Sequence, residues 1–302
     1  DEFTELMQQR TEGNAFFVQE VLRALVERGD VYQENGRWER RELEEIEVPE
    51  SVRAVIGQRL SRLSDQAQEL LREASVLDQT FVFDDLTVMS SREEDEVETA
   101  LEEAITAGLI REAGRDGYSF NHALTQQALY EELSGRRKRR LHLAVGEALE
   151  RLPERVREKR MAELAWHFLE SDDPERALRY ALVAGDQAEE MFARSEAEKH
   201  FRTALELARE IGDQKRLAEA LYKLGRVLWR EGRPDEALLL GQESAQLYQR
   251  LGDSVLEGRV LLSISHIYVS KGRIEEAAEI VRRVERLLDS IESSNPSPDL
   301  AR

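Results

Sequence analysis

The 302-residue chain has no cysteine, which excludes disulfides, thiolate metal sites and cysteine nucleophiles. It has only five histidines. Four of them (His142, His167, His200, His266) stand singly on helical stretches, without a second histidine at i,i+4 or a surrounding carboxylate cage. No metal centre is expected from them. No run of 18 apolar residues occurs, and Asp1-Glu2-Phe3 does not open a basic-then-apolar leader. Neither a membrane span nor a secretory signal is therefore expected, and the expected location is cytoplasmic. Cations are in deficit, with 43 Lys and Arg against 62 Asp and Glu, a net charge of −19. That balance argues against nucleic acid or an anionic membrane as the dominant partner. The sequence starts without Met and inside an expected helix, so a piece of a longer protein is expected.

What is abundant is charge: 35% of residues are charged, against 41% hydrophobic. The charges are mostly Glu and Arg, both good helix formers. The last third carries a 40-residue register. Gly212-Asp213 returns as Gly252-Asp253, and Gly232-Arg233 as Gly272-Arg273. Ala197, Ala237 and Ala277 keep the spacing, as do Gly185, Gly225 and Ser265. Breakers at fixed phase in this period mark stacked helical hairpins, each unable to bury its apolar face without a neighbour.

Apolar periodicity and breakers predict the rest. Helices are expected at about 2–9 and 15–28, the second N-capped by Asn14. A small hairpin turns at Asn35-Gly36. Helices follow from Val48-Pro49 to about Leu63 and from Ser64 to about 77. A short helix near 84–89 and one from about 91 to 107 precede a two-stranded ribbon, 109–112 with 118–120. Helix, helix, helix, ribbon is the order of a winged helix, placed at 64–134 with the helix that begins at His122. A basic run, Arg136-Arg137-Lys138-Arg139-Arg140, opens a further helix. After Pro153 the expected helices are 157–171, 174–190, 195–211, 214–231, 234–251, 254–271 and 274–291, then a frayed polar tail.

Residues 64–134 hold 4 Arg and no Lys against 17 Asp and Glu, a net of −13. The helix that would enter a DNA groove carries Glu93, Glu94, Asp95, Glu96, Glu98, Glu102 and Glu103. Phosphate binding needs cations there, so DNA contact by this domain is not expected. The basic run at 136–140 is available to face these acids instead.

Two resemblances follow. The solenoid resembles tetratricopeptide repeats (TPRs). Their first-helix pattern stands here as Leu221, Leu224, Gly225 and Leu228, then as Leu261, Ile264, Ser265 and Tyr268, and more weakly as Ala181, Ala184, Gly185 and Ala188. The repeat is 40 residues rather than the usual 34, and the later aromatic is kept only as Phe201. The first half resembles the region after the nucleotide-binding core of bacterial STAND-type signalling ATPases, relatives of the maltose-regulon activator. Thr11-Glu12-Gly13-Asn14-Ala15-Phe16-Phe17-Val18-Gln19-Glu20 carries this resemblance, with Val48-Pro49-Glu50-Ser51-Val52-Arg53, Phe120-Asn121-His122-Ala123-Leu124 and Ala128-Leu129-Tyr130. Position 15 is usually Pro in that family.

The resemblance implies a mainly α chain. Residues 1–63 would form a helical lid segment with a small β-hairpin, 64–134 a winged helix, 135–156 a linker helix, and 157–292 a right-handed α-solenoid of TPR-like hairpins. A disordered tail at 293–302 would close the chain. Gly13 and Asn14 would lie beside the adenine and His122 at the phosphates of ADP, so cofactor contacts belong to a parent protein that binds ATP or ADP. No Gly-x-x-x-x-Gly-Lys-Ser/Thr loop occurs, so these residues alone are not expected to hydrolyse ATP.

The function implied is a non-catalytic regulatory or sensor arm. Its winged helix would clamp the protein's own nucleotide-binding domain, and its solenoid would take a protein or small-molecule inducer. Tyr222, Trp229 and Tyr268 are the candidate partner-binding residues, Trp229 being expected exposed. The alternative is a stand-alone TPR scaffold or adaptor.

Overall fold

The computed structural model describes residues 2–11, 13–34, 37–41 and 48–294. It divides into two compact units, Asp1–Leu152 and Pro153–Arg302.

In the first unit, α1 (Glu2–Thr11) and α2 (Ala15–Glu27) precede an antiparallel hairpin of β1 (Val31–Glu34) and β2 (Arg37–Arg40). Then come α3 (Glu50–Leu60), α4 (Asp65–Ala74), β3 (Thr80–Val82), α5 (Phe83–Ser90) and α6 (Glu94–Thr106). The unit ends with β4 (Ile110–Glu112), β5 (Gly117–Phe120), α7 (Ala123–Glu132) and α8 (Gly135–Arg151). The Asn35-Gly36 turn lies outside the described residues.

Local chemistry sets these boundaries. Asn14 Oδ1 accepts from the Phe16 and Phe17 N–H groups at 3.0 and 3.4 Å, capping α2. Ser64 Oγ accepts from Ala67 N at 3.2 Å and caps α4, each cap being worth about 1 kcal/mol. Met7, Phe17, Val21, Leu25, Val52 and Ile56 pack on Leu124 and Ala128, so α7 is the post around which α1, α2 and α3 gather. A second core brings Leu70, Leu71, Leu86, Leu101, Ile110 and Phe120 out of water.

One expectation is corrected here. The ribbon is a three-stranded sheet in the order β3-β5-β4, because Thr80–Val82 pairs antiparallel with Gly117–Ser119. The helix read as a linker, α8, belongs to the first unit. Arg137 pairs with Glu69 and lies 3.5 Å from Glu73, and Arg92 also pairs with Glu73. Part of the basic run thus meets acids of α4.

The second unit opens with α9 (Glu154–Arg157) and a 3₁₀ turn (Glu158–Arg160), where one continuous helix from 157 was expected. Then come α10 (Met161–Glu170), α11 (Pro174–Glu190), α12 (Arg194–Ile211), α13 (Gln214–Arg230), α14 (Pro234–Leu251), α15 (Ser254–Ser270) and α16 (Ile274–Ser294). The expected frayed tail lies outside the described residues beyond Ser294.

Each Gly-Asp pair both ends a helix and starts the next. Gly212 (φ 79°) and Gly252 (φ 72°) take the left-handed conformation that closes α12 and α14. Asp213 then accepts from Arg216 N and Asp253 from Leu256 N, both at 3.0 Å. Where helices of a hairpin cross, small residues let backbones approach: Ala197, Ala237 and Ala277 are all buried. A Cβ at Gly225 would sit 3.3 Å from the Ala237 carbonyl oxygen.

Candidate functional site

Two places merit chemical scrutiny, one in each unit. In the first, β5 ends at Phe120 and α7 begins at Ala123, so His122 occupies the N-cap position with extended backbone (φ −145°, ψ 139°). A helix start with its amide groups unsatisfied by the helix favours an anion. The α1–α2 turn is brought to the same corner because both helices pack on α7. Gly13, at φ 73°, turns the chain, and Asn14 follows it.

The result joins residues 108 apart in sequence: Asn14 Nδ2 lies 3.4 Å from His122 Nε2. The Phe17 ring meets the imidazole edge-on, with centroids 4.8 Å apart. Because Oδ1 of Asn14 is committed to the α2 cap, its Nδ2 is the donor and His122 Nε2 the acceptor. All three residues singled out for a nucleotide, Gly13, Asn14 and His122, therefore share one corner. Phe17 stands in the Thr11–Glu20 stretch that carries the first-half resemblance; its contact with His122 depends on the α2–α7 packing and has no local sequence signal.

In the second unit, Tyr222, Arg226 and Trp229 on α13 and Val260, Ser263 and Ile267 on α15 flank a groove floored by α14. Its cavity volume is about 20 Å³, far below the roughly 300–1,000 Å³ typical of pockets enclosing small ligands. Ser263 Oγ donates to the Tyr222 hydroxyl at 3.4 Å, and the Arg226 guanidinium lies 5.7 Å from the Tyr222 ring centre. Trp229, expected exposed, is half-buried because α15 stands against it. Tyr268 lies apart from this groove: it is buried, its hydroxyl accepts from Gln242 Nε2 at 3.2 Å, and Arg273 covers its ring.

Charge on the α13 side of the groove is paired. Lys223 Nζ lies 2.6 Å from Asp186 and 2.8 Å from Glu219. Burial pulls the Lys223 pKa down, but these two carboxylates outweigh it and hold it above the ordinary value. Glu189 of α11 receives both Arg226, at 2.9 Å, and Arg230. These ties fasten α13 to α11, and the α15 side carries the apolar groups.

Among the described residues no group of three or more His, Asp or Glu is placed to hold a metal ion, and no helix is long and apolar enough to cross a membrane.

The sequence profile of the tetratricopeptide repeat matches residues 194–250 and 217–290. Residues 194–290 are thus tetratricopeptide repeats, hairpins of the protein-interaction class. Among solved structures, the chain is similar to the TPR domain of Arabidopsis FLU, at 22% identity and TM-score 0.37, covering 39% of this chain and 98% of that one. It is also similar to a Signal Transduction ATPase with Numerous Domains (STAND) protein with a tetratricopeptide repeat sensor from Pyrococcus horikoshii. There the identity is 14% and the TM-score 0.37, over 96% of this chain and 51% of that one, so this chain spans about half of that protein's length. A third is the Rap conjugation gene regulator of plasmid pLS20 in complex with the Phr* peptide, at 18% identity and TM-score 0.40, covering 69% and 53%. No curated protein matches.

Proposed function

We propose that this chain is the non-catalytic regulatory arm of a STAND-type signalling ATPase. Residues 1–134 would clamp a nucleotide-binding core, and the TPR hairpins would sense a partner. The observation that carries the reading is the corner where Asn14 and His122 meet, 3.4 Å apart. With the imidazole protonated, the Asn14 amide and His122 Nε2–H become two donors able to share one anionic oxygen, the geometry a nucleotide phosphate wants. The order helix, strand, helix, helix, strand, strand over α4–β5, with the sheet order β3-β5-β4, supports reading 64–134 as a winged helix. Its acidic third helix, with Glu94, Asp95, Glu96 and Glu98 exposed, suits packing on a protein rather than on DNA.

A partner that prefers the open over the closed clamp would shift the equilibrium between them, by no more than its preference. The groove between α13 and α15 is narrow and apolar, so a protein segment suits it better than a small inducer. A second reading, a stand-alone TPR adaptor, is favoured by the repeats alone, which need no nucleotide. The test is calorimetric titration of ADP into a polypeptide carrying the nucleotide-binding core together with this chain. His122→Ala is expected to weaken ADP binding about tenfold, the loss of one charge-assisted hydrogen bond. Unchanged affinity would remove His122 from the nucleotide site and favour the adaptor.

A further inference from the structure

An imidazole turns about χ2 between two broad wells a half-turn apart, and His122 offers Nε2 to Asn14 in only one of them. The hydrogen bond between them is a weak restraint. At 3.4 Å it lies at the long end of such contacts. The N-cap position adds no hold of its own, because the His122 side chain makes no capping hydrogen bond to α7.

The Phe17 ring is placed to select the orientation. It stands at 88° to the imidazole with centroids 4.8 Å apart, the edge-to-face arrangement that ring quadrupoles favour. Phe17 is itself fixed: it is 4% exposed and shares a core with Met7 of α1, Val52 of α3 and Leu124 of α7. It also reaches the other member of the pair. Its backbone N–H donates to Asn14 Oδ1 at 3.4 Å, beside that of Phe16 at 3.0 Å. Those bonds commit Oδ1 to the cap and leave Nδ2 for His122. One residue thus touches both, Asn14 through its main chain and His122 through its ring. A leucine would keep the N–H and much of the bulk, but it has no flat, rigid ring to set against the imidazole.

We propose that Phe17 is a positioning residue, whose ring holds the His122 imidazole with Nε2 turned to Asn14 so that the two nitrogens converge on one point. Use of that point by a nucleotide oxygen rests on the reading given above. The orientation of the imidazole does not.

The first measurement therefore needs no nucleotide. With Asn14 Nδ2 donating, the neutral imidazole accepts at Nε2 and carries its proton on Nδ1. Nitrogen NMR of labelled histidines in the full chain, at a pH where the rings are neutral, reads this tautomer, and loss of signals in His122→Ala identifies those of His122. The native chain is expected to show the Nδ1–H tautomer alone, and Phe17→Leu a mixture of both. Phe17→Tyr, which keeps the ring, should keep the native tautomer. So should Val21→Ala, which removes core volume one turn further along α2. A single tautomer in Phe17→Leu, or the same mixture in Phe17→Tyr or Val21→Ala, would overturn the proposal.

Calorimetric titration of ADP into a polypeptide carrying the nucleotide-binding core and this chain separates the two claims. Phe17→Leu is expected to weaken ADP about fivefold, short of the loss in His122→Ala, with Phe17→Tyr and Val21→Ala near the native value. Unchanged affinity in Phe17→Leu beside a loss in His122→Ala would overturn the positioning role. Unchanged affinity in His122→Ala would sink the nucleotide reading instead, and the tautomer measurement would then decide the role of Phe17 by itself.

Discussion

Phe192 adopts a left-handed backbone, φ 60°, at the place that Gly232 and Gly272 hold one and two repeats on, and its side chain is 84% exposed. A bulky residue there carries roughly 1–2 kcal/mol of strain, while glycine brings back about 0.5–1 kcal/mol of unfolded-state freedom. Phe192→Gly should therefore stabilise the chain by about 0.5 kcal/mol, read as a higher denaturant midpoint; a lower midpoint would mean that the exposed ring makes native contacts worth more than the strain. His142 presents the opposite situation, a group fully buried in α8 with Tyr130 Oη 3.1 Å from its Nε2.

Burial first, then the nearby Lys138 charge, pushes the His142 pKa from 6.5 to about 4. The unfolded ring takes a proton near pH 6.5 and the folded ring does not. Its contribution to stability is therefore complete above that pH and is lost as pH falls toward about 4, at up to ~1.4 kcal/mol per unit. Between pH 7 and pH 5 the melting temperature should fall for the native chain and fall less for His142→Gln. Equal falls would assign the acid sensitivity to other groups.

At the scale of elements, packing in the hairpins rests on a few missing side chains. A Cβ at Gly185 would lie 2.4 Å from the ring of Phe201, which is fully buried and closed in. Gly185→Ala should cost about 1–3 kcal/mol by overpacking. Gly225→Ala, whose nearest contact is 3.3 Å, should cost less; urea unfolding of the two variants checks the order. These hairpins were legible in sequence because Gly212-Asp213 and Gly252-Asp253 act locally, each as helix stop and helix start. The strand β3 was not, because Thr80-Phe81-Val82 is too short to show a period and becomes a strand only by pairing with β5, 35 or more residues on. The place of α8 was hidden in the same way. Its basic run reads as a solvated charge block until Arg137 is seen against Glu69 and Glu73.

At the scale of the whole molecule, the two units carry different kinds of information. The TPR unit declares its architecture through repetition, but the groove follows from tertiary spacing: Tyr222 and Trp229 line it, while Tyr268, at an equally conspicuous repeat position, turns into its own core. In the first unit, Gly13, Asn14 and His122 were singled out by resemblance from distant parts of the chain. What joins them is the packing of α1 and α2 on α7, and Phe17, the fourth member of the corner, is marked in the sequence only as part of the Thr11–Glu20 stretch, with nothing to pair it with His122.

The proposed arm acts on a nucleotide only if Asn14 and His122 work as one unit, and a double-mutant cycle tests this most directly. ADP affinity would be measured by calorimetry in a polypeptide containing the nucleotide-binding core and this chain, for Asn14→Ser, His122→Ala and both together. Serine keeps the helix cap and removes the amide. Each single variant should weaken ADP about tenfold, and the double variant well short of the hundredfold product, because neighbours that share one ligand oxygen are not additive. Unchanged affinity in both single variants would contradict a nucleotide role for this corner.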